Sequence, residues 1–512
     1  MGFVVDTKQM AEAEIRSEDK GVSRVRLMQN AAAGILEYLK GRIGSLEEHS
    51  FVLLCGSGNN GGDGVELAFL LRESGADVTV IYTDKIPDTE TAKACMAGHS
   101  AEFDKIFAAQ NINAALKAME RAEVIADCVF GTGYHGELPP VAAELFDHAA
   151  ECGGFKLSVD IPSGVNGNSG VIAEHSFKPD VTLVLGAVKT GILNYPCSDF
   201  CGEWAVIDIG IGDECYCEYE AVLTDDRIYK MLPERKRGAN KGSFGKLLNV
   251  AGCESYIGAA VLSSKAALRI GTGLVTLASV REAVRAAAVA VPECVFLNLP
   301  AGSEGFMSID AVKLIEAAAE KAAAITAGCG MGNCRETTEI VSALLSNKGK
   351  CPIILDADGI NSISGNINVL KDNDRPIILT PHPGEFSRLT GYSAAQIQSD
   401  RLNKAKSFAA DTGTVVLLKG ADTVIAAPDG KAYVNTSGNN ALSKAGCGDV
   451  LTGIIGGLAA QGADPFYSAV LGAYIHGHAA DRLVKRTAAE SVLAGDIVEE
   501  LGSVLLAHGN SQ

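Results

Sequence analysis

The sequence has no CxxC pair, no excess of basic residues and no apolar run long enough to cross a bilayer. Its 14 cysteines never fall at zinc-site spacing. Cys215 and Cys217 form one close pair and Cys197 and Cys201 another, and neither has a second pair to complete four ligands. Most others, such as Cys55, Cys128 and Cys351, lie in apolar runs. The expectation is buried free thiols in a reducing compartment rather than a disulfide framework. A formal net charge of −18 excludes non-specific binding to nucleic acid or an anionic membrane. The phosphates of an anionic ligand would have to be held by backbone N–H groups and a few local cations. The start of the chain is apolar only to Val5 and charged from Asp6, with no signal-peptide core or cleavage site, so the expected location is cytoplasmic.

What the chain does have is glycine, 57 residues of it, clustered after apolar runs, within a length of 512 that suggests two or three domains. In the first half, strands are expected at Phe51–Cys55, Val78–Tyr82, Val124–Val129, Lys156–Asp160, Val181–Leu185 and Ala205–Ile209, with helices between them. Thr7 to Leu39 reads as helix that packs outside the sheet or against another subunit. In the second half, strands are expected at Leu247–Ala251, Leu274–Ala278, Ala324–Ala327, Ile353–Asp356, Ile377–Thr380, Val415–Leu418 and Val424–Ala427. Helices are expected there at Ala259–Ile270, Ala311–Lys321, Ala394–Asp411, Asp449–Gln461 and Pro465–Leu483. Buried β-branched strands alternating with helices imply parallel sheets covered on both faces. The stretch Asp225 to Gly245, with Arg235-Lys236-Arg237, breaks the rhythm and reads as a solvated linker. The expected organisation is two different doubly wound α/β domains, residues 1–220 and 221–512.

Three loops of the first half carry chemistry. Phe51–Cys55 runs into GSGNNGGDG at 56–64 and then a helix, a turn that offers unpaired N–H groups to an anion. It is neither GxGxxG with a downstream acid nor a P-loop, because no Lys-Ser/Thr follows. Val124–Val129 carries Asp127 and leads into GTGYHGE at 131–137, and Lys156–Asp160 ends in DIPSG at 160–164. Loops at the C-terminal strand ends of an open parallel sheet converge on one crevice. By itself the first loop is as readily a tight turn, and the blander reading of Asp160 is a turn cap; three such loops together make a site and favour catalysis at Asp160.

GNNGGDG, the D-x-x-F-G-x-G run at 127–133 and VDIPSG at 159–164 resemble the YjeF N-terminal family, the NAD(P)H-hydrate epimerases, over about the first 215 residues. The resemblance implies a Rossmann-like fold, usually dimeric, that interconverts the R and S hydrates of NADH and NADPH (NADHX and NADPHX). It implies substrate contacts from Asn59, Asn60, Gly61, Gly62 and Asp63, from Gly131, Thr132, Gly133, Tyr134, His135, Gly136 and Glu137, and from Asp160. It also implies a potassium ion on Asn60, Asp127 and Ser163, and Asp160 as the acid/base residue.

In the second half, Gly446-Cys447-Gly448-Asp449 opens a helix. Its N–H groups would face developing negative charge, and Asp449 would take a proton from an attacking hydroxyl. A plain N-cap Asp is the blander reading. This turn resembles the GxGD signature of ribokinase-like kinases. KGSFGKLLNVAG at 241–252, YIGAA at 256–260, DADG at 356–359, TPHPGE at 380–385 and AGCGDVLTG at 445–453 narrow it. Together they resemble the YjeF C-terminal family, the NAD(P)H-hydrate dehydratases, over about 235–505. In that family a nucleotide phosphorylates the C6 hydroxyl of the S hydrate and phosphate then leaves.

The resemblance implies substrate contacts from Ala259, Gly332 and the segment His382, Pro383, Gly384, Glu385, Phe386, Ser387 and Arg388. It implies nucleotide contacts from Lys419, Gly420, Ala421, Asp422 and Thr423, and from Asn439, Asn440, Ala441, Leu442, Ser443, Lys444, Ala445, Gly446, Cys447 and Gly448. Asp449 would be the base, ADP the donor, and Glu385 a holder of Mg²⁺, directly or through water. Cys447 stands where Thr is usual and Cys329 where Pro is usual. The rival readings are a small-alcohol kinase with an accessory domain, which leaves GNNGGDG unexplained, and a first half that only binds nucleotide.

Overall fold

The computed structural model describes residues 2–347, 349–371 and 373–509. The chain divides into two compact units, Met1–Val222 with Gln398–Asp400, and Leu223–Ile397 with Arg401–Gln512.

The first unit is built on a seven-stranded sheet in the order Asp104–Phe107, Asp77–Tyr82, Ser50–Cys55, Val124–Cys128, Phe155–Val159, Val181–Leu185, Glu203–Ile207. Every neighbouring pair is parallel. Central strands are buried along their length because helices cover both faces: Leu53, Leu54, Ile125 and Leu157 are all inaccessible. The chain leaves Ser50–Cys55 in one direction, returns, and continues on the other side from Val124–Cys128. The order therefore reverses between those two strands, where an open sheet leaves a crevice.

The segment read as one helix from Thr7 to Leu39 is two helices, Thr7–Asp19 and Arg24–Ile43. Asp6 and Gln9 form a capping box at the first start, Gly21 turns the chain at φ 95°, and the Ser23 side chain caps the second. The second helix lies on the sheet's own covering helix. A Cβ on Gly62 would stand 2.7 Å from Met28 Cε. A short strand, Phe3–Val5, pairs antiparallel with Ala221–Leu223 and parallel with Val188–Lys189.

The second unit has its own sheet, ordered Val295–Leu299, Leu274–Val280, Lys246–Val250, Ala324–Ala327, Ile353–Leu355, Ile377–Leu379, Val415–Leu418, Thr423–Ala426, Ala432–Asn435. It is parallel through Val415–Leu418, and the last two pairings are antiparallel. Its reversal lies between Lys246–Val250 and Ala324–Ala327. The helix expected over Ala394–Asp411 is interrupted, as Ala394–Gln398 and Arg401–Thr412. The basic stretch holds two tight turns, Asp226–Met231 and Lys241–Phe244. Arg235, Lys236 and Arg237 are all exposed, as a solvated run requires, and the Arg235 guanidinium also sits 4.0 Å from the Phe244 ring centroid and donates to Gly271 O. Among the described residues, no helix is long and apolar enough to cross a membrane.

Candidate active sites

At the reversal of the first sheet lies a cavity of about 500 Å³. All three loops expected to converge reach it: Asn59, Asn60 and Asp63 from the first, Gly131, Thr132, Gly133 and Tyr134 from the second, Asp160 from the third. Residues that the sequence did not single out join them, among them Glu14, Arg24 and Met28 from the two N-terminal helices and Lys189.

Asp160 is held in the left-handed region at φ 71°, a conformation that costs a non-glycine residue on the order of 1–3 kcal/mol. Its backbone N–H donates to Leu183 O at 2.8 Å. Its Oδ1 accepts from Leu185 N–H at 3.3 Å and from Lys189 Nζ, while Lys189 also donates to Leu185 O at 2.8 Å. Lys189 is 1% exposed, so this is a buried ion pair opening on the cavity. A Cβ on Gly131 would stand 3.3 Å from Asp160 Oδ2 and 3.6 Å from Asn60 Cγ, which puts the three at one point of the wall. Burial raises the Asp63 carboxyl well above its usual range, and the carboxylates of Asp160, Glu14 and Glu66 push the same way. Burial likewise raises Glu14, with Lys189 opposing.

Asp127 is fully buried and ties two of the loops together. It accepts from Ser158 Oγ at 2.5 Å, Ser163 N–H at 2.8 Å, Ser163 Oγ at 2.6 Å and Val129 N–H at 3.1 Å. Asn60 donates through Nδ2 to Val159 O at 3.3 Å, but its buried Oδ1 has no hydrogen-bond partner. A buried acceptor left unmatched is costly, and a cation is one group that would satisfy it.

The glycines act differently from the expectation. The helix begins at Asn59 with Gly58 as N-cap and no side-chain cap, so its first N–H groups are open to a ligand. Gly61 and Gly62, expected as substrate contacts, do not line the cavity. A Cβ on Gly61 would stand 1.9 Å from Gly56 O, and one on Gly64 would stand 2.6 Å from Cys128 Cβ. These glycines let the helix press on the strands beneath it. His135, Gly136 and Glu137 are exposed and lie outside the lining.

The second unit has two cavities on either side of one helix start. One, of about 480 Å³, is lined by Lys419, Gly420, Ala421, Asp422, Thr423, Asn439, Asn440, Leu442, Ser443, Cys447 and Gly448, among others. The other, of about 600 Å³, sits at the sheet reversal and is lined by Tyr256, Ala259, Gly332, Ala445, Gly446 and Asp449, among others. The shared wall is the start of helix Cys447–Ala460, whose N-cap Gly446 has φ 91° and which no side chain caps. Ala441 and Lys444 fall outside both linings; the Lys444 ammonium donates to Glu490 O instead.

Burial raises the Asp449 carboxyl to about 6, with Asp356 adding and with the Cys329 thiol and Lys419 opposing. Asp356, 2% exposed, accepts from Lys419 Nζ at 2.7 Å and from Thr452 Oγ1 at 2.8 Å. Gly448 leaves the gap: a Cβ there would stand 3.5 Å from Asp356 Oδ2 and 3.6 Å from Lys419 Nζ. Glu385 Oε2 is 3.9 Å from Lys419 Nζ, and burial raises the Glu385 carboxyl. Two buried carboxylates around one ammonium leave net negative charge, the donor set that a hard cation takes.

The segment His382–Arg388 lines neither of these two cavities. It is the first part of helix Pro383–Thr390, and His382 and Glu385 form its capping box. Phe386 is fully buried against Phe408, Ser387 Oγ donates to Tyr392 O at 2.6 Å, and Arg388 Nε donates to Asn361 Oδ1 at 2.9 Å. The Phe386 side chain thus packs in the core beneath this segment. The sequence reading also missed His476, a lining residue of the 480 Å³ cavity that burial pushes down to about 4, leaving it neutral with Nε2 unpartnered.

A family profile for NAD(P)H-hydrate dehydratase matches residues 247–502, and one for the YjeF-related protein N-terminus matches 24–191. The bifunctional NAD(P)H-hydrate repair enzyme Nnr of Moorella thermoacetica is 33% identical over 98% of this chain and 96% of its own length. The chain is also similar to a solved ribokinase-like superfamily protein from Enterococcus faecalis, at 25% identity and TM-score 0.50, over 56% of this chain and 96% of that one. A third likeness is the ADP/ATP-dependent NAD(P)H-hydrate dehydratase of Bacillus subtilis, co-crystallised with ATP/Mg²⁺, at 31% identity and TM-score 0.49, over 56% of this chain and 99% of that one. With a relative of more than 30% identity spanning nearly its whole length and both profiles in order, this chain belongs to the family of bifunctional NAD(P)H-hydrate repair enzymes.

Proposed function

We propose that residues 1–220 interconvert the R and S hydrates of NADH and NADPH, and that residues 221–512 use a nucleoside phosphate to return the S hydrate to NADH or NADPH. The observation that carries the second assignment is the helix start shared by two cavities. Cys447 and Gly448 face one cavity, and Gly446 and Asp449 the other. A phosphoryl donor in the first and a hydroxyl in the second meet at uncapped N–H groups, where charge develops during transfer.

Asp449 takes the proton of the C6 hydroxyl as its oxygen attacks the terminal phosphorus of the donor, and the bond from that phosphorus to the bridging oxygen breaks, releasing the shortened nucleotide (AMP from ADP). The C6–O bond then breaks with phosphate leaving, the ring nitrogen pair stabilises C6, and loss of a proton from C5 restores the double bond. Hydroxide would leave poorly; phosphate leaves well. Lys419 to Thr423 and Asn439 to Ser443 hold the nucleotide, for which ADP is the proposed donor. Mg²⁺ would be held near Asp356 and Glu385, whose uncompensated charge fits it, and would neutralise the transferring phosphoryl oxygens. In the first unit, Asp160, oriented by Lys189, moves the proton at C6. Asn60, Asp127 and Ser163 would hold a potassium ion. The unmatched Asn60 Oδ1 supports that reading, and the ion would brace the loops around the anionic substrate. A cytoplasmic homo-oligomer is the proposed working form; mostly buried free cysteines favour a reducing compartment.

The test is an R/S mixture of hydrated NADH incubated with the full chain and ADP or ATP. Absorbance of the whole mixture should return to that of NADH, with phosphate released. A stable phosphorylated product without NADH recovery would make the second unit a simple kinase.

A further inference from the structure

Outside all three cavities, the turn Asp226–Met231 and the helices Pro465–Leu483 and Ala494–Gly509 bring together Asp226, His478 and His508. One ligand atom from each lies within 4.8 Å of those of the other two, and among the described residues no other such group of His, Cys, Asp and Glu occurs. Each side chain is fixed by a tyrosine. The Tyr229 hydroxyl is 2.9 Å from His478 Nδ1, the Tyr474 hydroxyl donates to Asp226 Oδ1 at 2.8 Å, and the Tyr229 ring stacks on His508 at 4.0 Å and 3°. Imidazoles that bind metals have their other ring nitrogen held by an outer partner in this way.

We propose that Asp226, His478 and His508 form a binding site for a divalent transition-metal ion of the zinc type. Two imidazole nitrogens and one carboxylate oxygen suit zinc, cobalt or nickel; magnesium and calcium take all-oxygen sets. Bonds of about 2.0–2.2 Å bring ligand atoms to roughly 3.5 Å, so side-chain rotations of about 1 Å close the site. The ion joins the last helix to the helix that forms one wall of the nucleotide cavity. That helix carries His476 and Gly477 in the wall. Its Asp481 accepts from Gly438 N–H at 2.9 Å and from Asn439 Nδ2 at 2.8 Å. The site is a brace for the nucleotide side of the second unit, and needs no part of the catalytic machinery.

Chelator-treated full-length protein dialysed against Co²⁺ is expected to retain one equivalent, with visible d–d bands and without the near-ultraviolet band of thiolate ligation. The double variant Asp226→Asn, His508→Gln should lose that equivalent while keeping dehydratase turnover at saturating nucleotide. Zn²⁺ should raise the Tm of the parent protein and not of the double variant. Retention of the same equivalent by the double variant would place the metal elsewhere, such as on Asp356 and Glu385, a thiolate band would place it on cysteine, and either result overturns the proposal. Failure of the parent protein to retain any equivalent overturns it as well.

Discussion

In the first unit the helix that follows the switch-point strand starts at Asn59, and the glycines after it are turned inward. Gly61 and Gly64 have backbone or side-chain atoms within 3 Å of where a Cβ would be, all of it the protein's own structure. In the second unit the helix starting at Cys447 has Gly448 in open contact with the cavity, with its nearest neighbours at 3.5 and 3.6 Å. The two carboxylates also differ. Asp160 is locked by a buried lysine in a left-handed conformation. Asp449 has no such partner, faces Asp356, and is raised to about 6. An identical device, an uncapped helix start at a sheet reversal, is thus rigidly packed in one unit and left spacious in the other. A site that only moves a proton at one carbon needs a fixed base, whereas a site that brings two ligands together needs room on both sides of the helix start.

The comparison breaks most sharply at the two carboxylates. Asp449→Asn should reduce dehydratase turnover by about 10³–10⁴, at the upper end for a positioned general base, while nucleotide still binds and R/S interconversion continues. Asp160→Asn should do the reverse, reducing interconversion by about 10²–10³, followed by separating the epimers while the S form is still consumed. Loss of both activities in either variant would show that the sites are not independent. As the proposed base Asp449 acts in its ionised form, so the dehydratase kcat/KM should fall about tenfold per pH unit below pH of about 6. The same shift makes the group a stabiliser only in acid: with the folded value above the unfolded one, its contribution is lost as pH rises from about 4 to about 6.

Lys189→Met tests rigidity on the first side. It leaves Asp160 buried without its partner, which should cost about 3–5 kcal/mol and lower the Tm of that unit alone. Gly61→Ala places a methyl 1.9 Å from Gly56 O and should destabilise by about 1–3 kcal/mol. Gly448→Ala should leave Tm unchanged and raise only the nucleotide KM. Equal effects of the two glycine substitutions would erase the contrast between the packed and the open helix start.

Sequence alone made the contiguous parts of both sites legible. Val181–Leu185, Val415–Leu418 and Pro465–Leu483 fall where their apolar periods put them. The glycine turns announce themselves because the residues that bind and the residues that bend the chain are adjacent. What escaped was assembled across the fold. Asp104–Phe107 is a half-exposed edge strand with charges in it, so neither period marks it. Lys189 reaches Asp160 across 29 positions, and its one local signal is a lysine inside the apolar run VLGAVKTG. His476, on an apolar helix, looks like any core histidine until the cavity beside it is seen. The burial of the Phe386 side chain was readable in advance: His382 and Glu385 stand at capping-box spacing, which predicts a helix start and an inward Phe one residue later.

The smallest expected effect separates chemistry from geometry at the open helix start. Cys447 is 3% exposed and lines the proposed nucleotide cavity beside Gly448, where a threonine would offer a hydroxyl. If backbone N–H groups hold the phosphates, as the uncapped helix requires, Cys447→Thr should leave kcat within about twofold. A gained hydroxyl-to-phosphate hydrogen bond, worth about 0.5–1.5 kcal/mol, should lower the nucleotide KM by about two- to tenfold. The same variant should also make the dehydratase less sensitive to thiol oxidants, since burial raises this thiol from its usual value but leaves it facing a ligand cavity. A large rise in kcat instead would mean that a side chain, and not the backbone turn, stabilises the transferring phosphoryl group, and the likeness between the two helix starts would end there.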